Sequence, residues 1–587
     1  MGVVEVEAAA AERKYHDKEE FVTGHNGTTP YEIFLMCCVI PIGLQLYYKL
    51  YNYHAFFFQH QQGQGQSKGA SNNKGTMIKK WSSVIIIEFC TLLLPMLLVQ
   101  TSLLSYMIGP TILVVGMLSL SYMIPTVNKP TQYYNTESFG PSASKSSSTA
   151  AYRPAYLSIH RASVYILTTI AILAVDFPLF PRRFCKTEVS GYGFMDVGAS
   201  SFIIIAGWTS ALSSSSAHDE SSQHATKGSS KTLHAKRSSN NNTMRAIKKC
   251  LPLFTIGFIR LVTNKGLEYQ EHVSEYGVHW NFFFTLCCVE GFMVLWKGVK
   301  RQLILLGSII TDNSSNIHGL YYLDGILALL TIVPYQMFLS YYGGQEFIED
   351  GERRCNYDEG NAGNISYAKQ FLPTILCNAY AANREGILGV VGYVSLRLLS
   401  EDVARICLLV PIQRQQHSSS DEQHKNNNHK HQPMMRQHTQ RRLFIVSIVL
   451  WMSHLYLTVG LRIPTSRRST NASFILWSLA HNVSLLCMIH HVMMMNAPKT
   501  TTEETGDGCK QQQQHLHRPY ILLEAINRYG LAVFLSSNVL TGLVNLTVDT
   551  LHSSDGKAML VMMIYLGLVC GFALLLDGLF DKTKTKE

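Results

Sequence analysis

The side chains in this 587-residue chain best suited to chemistry are charged groups that border or interrupt long apolar runs. The sharpest case is Asp176, in Ala174-Val175-Asp176-Phe177-Pro178-Leu179-Phe180-Pro181-Arg182-Arg183-Phe184-Cys185-Lys186-Thr187-Glu188. A carboxylate at the edge of an apolar run is costly unless it is paired or functional. Pro178 and Pro181 end a helix and turn the chain, which predicts that Lys186 returns toward Asp176. Arg182 and Arg183 are guanidinium forks that suit phosphate oxygens. The plainer account of that pair is snorkelling at a membrane edge.

Three further clusters have mixed polar chemistry. Tyr269-Gln270-Glu271-His272-Val273-Ser274-Glu275-Tyr276-Gly277-Val278-His279-Trp280-Asn281 sets two His and two Glu among aromatics. Glu271, Glu275 and His279 recur at helical spacing, but the run is not HExxH and Gly277 interrupts it, so a metal site is the weaker reading. A polar rim for a hydroxyl-rich head group fits better, against the plain alternative of an interfacial aromatic belt. Asn383-Arg384-Glu385-Gly386 opens another apolar run, where a helix cap with a local ion pair competes with a binding role. In Asn538-Val539-Leu540-Thr541-Gly542-Leu543-Val544-Asn545 the two Asn fit interhelix hydrogen bonds first. His454 and His481, alone among apolar residues, read the same way.

These groups must be positioned by membrane helices. Apolar residues form 47% of the chain and charged ones 15%, below the roughly 25% of soluble domains. The mean hydropathy of +0.07 is modest because polar loops dilute long apolar runs. Runs long enough to cross a bilayer, roughly 17–25 residues, fall near 31–51, 83–104, 107–125, 162–180, 194–212, 249–264, 280–298, 319–341, 385–400, 443–462, 472–495, 528–548 and 557–580. Residues 303–310 are too short to span and fit a re-entrant segment. The expected fold is therefore an all-α polytopic membrane protein, with about thirteen transmembrane helices in a single bundle. The membrane domain covers 31–580, between an N-terminal segment 1–30 and a tail 581–587.

Orientation follows from charge. With the N-terminus away from the cytosol, the loops on the cytosolic side carry roughly 31 Lys and Arg against roughly 15 opposite. The low-complexity loops 213–243 and 415–440 are basic and rich in Ser, Asn, His and Gln, so they cannot bury a core and fit cytosolic spacers. The histidines there reflect composition, not metal binding. Every mixed cluster above, and Ser466-Arg467-Arg468, falls on the opposite face. The net charge of +10 does not indicate nucleic-acid binding, because the basic residues are dispersed over loops. None of the thirteen cysteines forms a CxxC, and whether Cys355 and Cys377 of one non-cytosolic loop are bridged stays open.

The run at 174–188 with Gly191 and Met195-Asp196-Val197-Gly198, the run at 257–285, Asn383-Arg384-Glu385-Gly386-Ile387, Arg467-Arg468 with Trp477 and Asn482, and the run at 537–550 together resemble the inositol acyltransferases of glycosylphosphatidylinositol (GPI) anchor synthesis. This is the family called PIG-W in animals and GPI-anchored wall transfer protein in fungi. The resemblance covers almost every ordered-looking segment; the Ser/Asn/His/Gln insertions depart from it. It implies thirteen spans, an endoplasmic-reticulum location with a luminal N-terminus and cytosolic C-terminus, and transfer of a palmitoyl-type group. The donor would be long-chain acyl-CoA as co-substrate, with no cofactor or metal, and the acceptor an inositol hydroxyl of glucosaminyl-phosphatidylinositol among membrane lipids. It marks Asp176 and Lys186 as the catalytic pair. With the residue-level reading, the candidate substrate contacts are Arg182, Arg183, Glu188, His272, Glu275, His279, Trp280, Asn281, Asn383, Arg384, Glu385, Arg467, Arg468, Asn538 and Asn545. No Ser or Cys sits in a nucleophile setting, which favours direct transfer over an acyl-enzyme. A lipid transporter is the rival, disfavoured because no inverted repeat is visible.

Overall fold

A computed structural model describes residues 21, 24–64, 82–102, 108–125, 154–224, 244, 248–263, 273–310, 323–351, 353, 374–409, 428–496 and 520–584. His272, Cys355 and most of the two low-complexity stretches lie outside these residues. The principal helices are α1 (Pro30–Cys37), α2 (Val39–Gln64), α3 (Ile108–Met123), α4 (Ala155–Ala174), α5 (Asp196–His224), α6 (Phe282–Ile310), α7 (Leu323–Tyr341) and α8 (Gly344–Asp350). They continue with α9 (Thr374–Ala382), α10 (Arg384–Ala404), α11 (Asn428–Leu455), α12 (Ala472–Met495), α13 (Leu522–Arg528), α14 (Gly530–Thr547) and α15 (Asp555–Lys584). The described residues contain no strand, only an isolated bridge between Thr28 and Tyr192.

Local chemistry accounts for several helix starts. Thr29 caps α1 by accepting the Glu32 N–H at 3.2 Å, with Pro30 at the first helical position. Asn281 caps α6 by accepting the N–H groups of Phe283 and Phe284 at 3.0 and 3.3 Å. The buried carboxylate of Glu88 accepts three successive backbone N–H groups, Ile521, Leu522 and Leu523, at 3.0, 3.0 and 2.6 Å. It thereby satisfies donors that the start of α13 leaves without intrahelical partners.

Among the described residues eight helices are long and apolar enough to cross a membrane, fewer than the thirteen spans read from the sequence. The runs at 83–104 and 107–125 yield shorter apolar helices, Ser82–Leu98 and Ile108–Met123. Those at 194–212 and 385–400 fall in α5 and α10, which are helical but carry charge or polar residues along the run. Residues 303–310 are not re-entrant: they continue α6 to Ile310, because an unbroken helix keeps their backbone groups paired. Two boundaries drawn from composition also move. Helix α5 runs on to His224 and α11 begins at Asn428, inside the stretches 213–243 and 415–440 read as spacers. Ser, Gln and His cost a helix only modestly, so a well-packed helix can extend through them.

The chain divides into two compact units. The first comprises Met1–Thr28, Cys185–Val410 and Val446–Asn482. Within it α10 packs on α5, α6 and α7. Gly386, Gly389 and Gly392 line one face of α10, and a Cβ at Gly392 would collide with the Thr470 carbonyl. Its absence lets the turn at Arg467–Thr470 lie directly on the helix. The other end of α10 is charged: Arg397 bonds Glu401 at 2.9 Å and Glu290 at 3.3 Å, and Lys297 reaches Glu401 at 3.3 Å. Asp324 takes Lys300 at 3.0 Å, the Trp296 indole N–H at 2.5 Å and Arg405. Mutual pairing is what makes such charges tolerable in an apolar setting.

The second unit comprises Thr29–Phe184, Pro411–Ile445 and Val483–Glu587. Helix α13 packs on α4 and α15, α14 packs on α4, and α2 packs on α3. The Tyr565 hydroxyl of α15 donates to the Thr169 carbonyl of α4 at 3.0 Å, tying these helices beside the turn that follows α4.

Candidate functional site

In the second unit α4 stops at Ala174, and Asp176 lies in the turn just beyond, half-buried. Oδ2 of Asp176 accepts the side-chain amide of Asn545, in the last turn of α14, at 2.8 Å. The turn is held from within by Arg182. Its Nη2 donates to the carbonyls of Val175, Phe177 and Phe180 at 2.9, 2.9 and 3.0 Å, and its Nε to Phe180 at 3.1 Å. Arg183 pairs with the buried Glu32 at 2.8 Å and covers the Phe184 ring at 4.5 Å. Both guanidiniums are thus engaged by protein groups where the sequence offered them to phosphate.

Lys186 belongs to the first unit, Asp176 to the second, and each has a partner in its own. Nζ of Lys186 bonds Oε1 of Glu275 at 2.5 Å, and both side chains keep some exposure, 38% and 18%. Behind them Asp196, at the start of α5, pairs with Arg467 at 2.7 Å, with both side chains buried. The Thr187 hydroxyl and the Gly193 N–H also donate to Asp196, at 2.8 and 2.9 Å. Burial alone would push the Arg467 guanidinium down, but Asp196 and then Glu275 outweigh it and hold its pKa above the ordinary value. The Tyr276 phenol bonds that of Tyr393; burial, and then Tyr393, push Tyr276 well above its usual range, so it stays protonated. Glu188 secures the N-terminal segment by accepting the Gly24 N–H at 2.9 Å. The arrangement presents one solvent-reachable ammonium on a buried, charge-balanced foundation.

A second buried carboxylate, Glu385, collects Arg353 at 2.8 Å, Arg468 at 3.0 Å and the neighbouring Arg384 at 3.8 Å. Arg384 also donates to the carbonyls of Ile348 and Ala381 at 3.2 and 3.4 Å. Other candidates from the sequence serve local structure. Asn383 accepts the His279 N–H at 2.7 Å, and the Trp280 indole donates to Thr285 at 2.9 Å. Asn281 is the cap of α6, Asn538 bonds the Phe534 carbonyl of its own helix at 2.7 Å, and the His279 side chain is exposed. His454 bonds the Tyr192 hydroxyl at 2.9 Å, linking separate segments. Among the described residues no three His, Cys, Asp or Glu side chains cluster as metal donors. Cys377 is disulfide-bonded, and the other described cysteines are free.

Asp196, Tyr276, Tyr393 and Arg353 were not among the candidates. Asp196 carried a usable signal, an acid opening an apolar run beside the excess cations of Arg467-Arg468. Tyr276 and Tyr393 carried none, since aromatics at membrane edges are common.

The chain matches the family model described as GWT1 over residues 14–576. It is 30% identical over 425 residues to GPI-anchored wall transfer protein 1 of Yarrowia lipolytica, covering 72% of each chain. The Aspergillus oryzae protein of the same name is 30% identical over 426 residues, again 72% of each. An uncharacterised protein of Arabidopsis thaliana is 29% identical over 502 residues, 85% of this chain and 88% of its own.

Proposed function

Because the chain belongs to the GWT1 family, we propose that it works in GPI-anchor biosynthesis as an acyl-CoA-dependent O-acyltransferase. It moves a fatty acyl group, of palmitoyl type, to an inositol hydroxyl of glucosaminyl-phosphatidylinositol. The observation that supports this best is the bond between Asp176 and Asn545, which joins two of the motif stretches on which the family resemblance rests.

Asp176 accepts the proton of the inositol hydroxyl as its oxygen attacks the thioester carbonyl. The ester C–O bond forms, the C–S bond breaks, and coenzyme A leaves as a thiol with the proton supplied by Asp176. Asn545 holds one carboxylate oxygen in place and so orients the carboxylate. Lys186, oriented by Glu275, meets the negative charge that develops on the thioester oxygen. Cys185, next to it in sequence, is buried, so direct transfer is preferred to an acyl-enzyme. Arg182 holds the turn that carries Asp176, and Arg183 pairs with Glu32. The chain resides in the endoplasmic-reticulum membrane with these groups on the luminal side.

The test is acyl transfer by the purified full-length protein from palmitoyl-CoA to glucosaminyl-phosphatidylinositol, read by mass spectrometry. Inositol-acylated product is expected, with unacylated precursor accumulating in cells lacking the chain. Purified, folded protein that binds both substrates yet forms no ester overturns the reaction.

A further inference from the structure

Lys186 sits in residues 185–195, which form no helix of their own ahead of α5. The polar backbone groups of such a loop must find partners elsewhere, and two parts of the first unit supply them. One is the turn already fixed by Arg467. There the Ser466 hydroxyl donates to the Val189 carbonyl at 2.7 Å, and the Thr465 carbonyl accepts the Gly191 N–H at 2.8 Å. The other is residues 24–28, ahead of α1. The Thr28 N–H donates to the Tyr192 carbonyl at 2.7 Å, the Gly24 N–H to Oε1 of Glu188 at 2.9 Å, and the Glu188 N–H to the His25 carbonyl at 3.4 Å.

The closest approach of the two segments is at Gly27, whose φ of +78° is a conformation that suits glycine. A Cβ there would lie 2.5 Å from the Tyr192 carbonyl oxygen and 2.8 Å from Cγ2 of Thr187. Thr187 follows Lys186 directly, and its hydroxyl and N–H both donate to the buried Asp196, at 2.8 and 3.3 Å. The residue next to the ammonium is thus tied to Asp196 and touched by Gly27. Gly24 provides the contrast: its φ is +81°, yet nothing lies within 4 Å of where its Cβ would be.

We propose that residues 24–28 are a strap that positions Lys186, with Gly27 as the positioning residue, acting through Thr187. The inference rests on the acyltransferase reading, in which Lys186 meets the developing oxyanion. A lysine ammonium rides on a flexible four-carbon stem. Glu275 can therefore aim Nζ, at 2.5 Å, only when the backbone beneath it is fixed. Misplacing a catalytic group by about 1 Å costs about 10²-fold in rate. The segment ahead of the first span acts on the reaction in this way without touching substrate.

The experiment uses the purified full-length protein in detergent and measures kcat, the KM for each substrate, and backbone hydrogen exchange by mass spectrometry. Gly27→Ala should lower kcat by about 10–100-fold and leave both KM values near wild type. Gly24→Ala imposes the same left-handed strain without a collision and should lose far less. Adding Thr187→Ser, which keeps the hydroxyl for Asp196 and drops the methyl facing Gly27, should restore part of the Gly27→Ala loss. Placed in Lys186→Ala protein, Gly27→Ala should lower kcat no further, because its effect runs through that lysine. Exchange in residues 185–195 should quicken in Gly27→Ala while α10 keeps its wild-type rates. Equal losses in the two glycine variants, or a further loss on top of Lys186→Ala, would make the segment a general support of the fold and overturn the proposal. Unchanged exchange in residues 185–195 overturns it as well. If Gly27→Ala protein does not accumulate, Glu188→Ala, which removes the acceptor of the Gly24 N–H, takes its place in the comparison with Lys186→Ala. If the wild type forms no ester, faster exchange confined to residues 185–195 supports the strap and overturns the reaction instead.

Discussion

Asn545 donates its side-chain amide to Oδ2 of Asp176 at 2.8 Å, across 369 positions of sequence. The bond orients the carboxylate that the proposed reaction uses as its base. Asp176→Asn keeps the shape of the acid and should keep the protein folded and abundant. It should remove most turnover, by roughly 10²–10⁴ for loss of a general base. Asn545→Ala should lower kcat by about tenfold, the worth of one hydrogen bond to a charged group, with acceptor KM little changed. Near wild-type acylation by well-expressed Asp176→Asn protein would sink the assignment.

Lys186 offers a point ammonium held by Glu275 at 2.5 Å. Lys186→Ala should cut kcat by roughly 10²–10³, as removal of an oxyanion donor does. Lys186→Arg should rescue poorly, because a forked guanidinium does not replace an ammonium. Glu275→Gln should have a smaller effect, since the lysine keeps its charge. If Lys186→Ala changes only the KM for acceptor, the residue binds substrate and does not stabilise the oxyanion.

Arg182 donates to three carbonyls of the turn that bears Asp176. Arg182→Ala should cost about 1–3 kcal/mol of stability, seen as a lower Tm in detergent, and Arg182→Lys should recover little because one ammonium cannot copy the fork. Arg183→Ala should cost less. A large rise in acceptor KM at unchanged Tm for either variant would return that residue to phosphate binding.

Arg397 sits between Glu290 and Glu401. Arg397→Ala should destabilise the protein by roughly 3–5 kcal/mol, because it strands buried carboxylates. The double substitution Arg397→Leu with Glu401→Leu should be milder than Arg397→Ala. Additive losses in thermal unfolding would show that the two side chains do not act as a unit.

Glu349 has a pKa above its ordinary value, chiefly through burial, with Asp350 and Glu346 adding to it against Gln345 and Arg468. A carboxyl raised in the fold favours the protonated folded state. Its stabilising contribution is full below the unfolded pKa, near 4.5, and is lost as pH rises through the folded value. Glu349→Gln should therefore raise the Tm at pH 8 relative to wild type and lose that advantage by pH 4. A Tm difference that does not vary with pH would contradict the shift.

Much of this architecture was legible because a membrane helix is written locally: about twenty apolar residues suffice to announce one. Asp176 stood out for the same reason, as a charge against an apolar background. What escaped was long-range pairing. Arg397 and Glu401 make α10 look like a poor span until Glu290, over a hundred positions earlier, is seen to complete the cluster. Arg182 read as a surface fork because sequence does not reveal whether a guanidinium turns toward water or toward the carbonyls behind it. Asn281 and Asn383 are residue types that favour caps, and their capping and turn roles were available in principle from position alone.

The turn at Arg467–Thr470 places two consecutive arginines on two different carboxylates, Asp196 at the head of α5 and Glu385 at the head of α10. Neighbours in sequence thus act as a rivet through two helix starts that lie 189 positions apart. Such a joint has no slack, because a shift of the peptide between the arginines disturbs both carboxylates at once. Among related chains positions 196, 385, 467 and 468 should accordingly vary as a set: a lineage that neutralises one acid has reason to discard its arginine, and the adjacent arginine then inherits the strain.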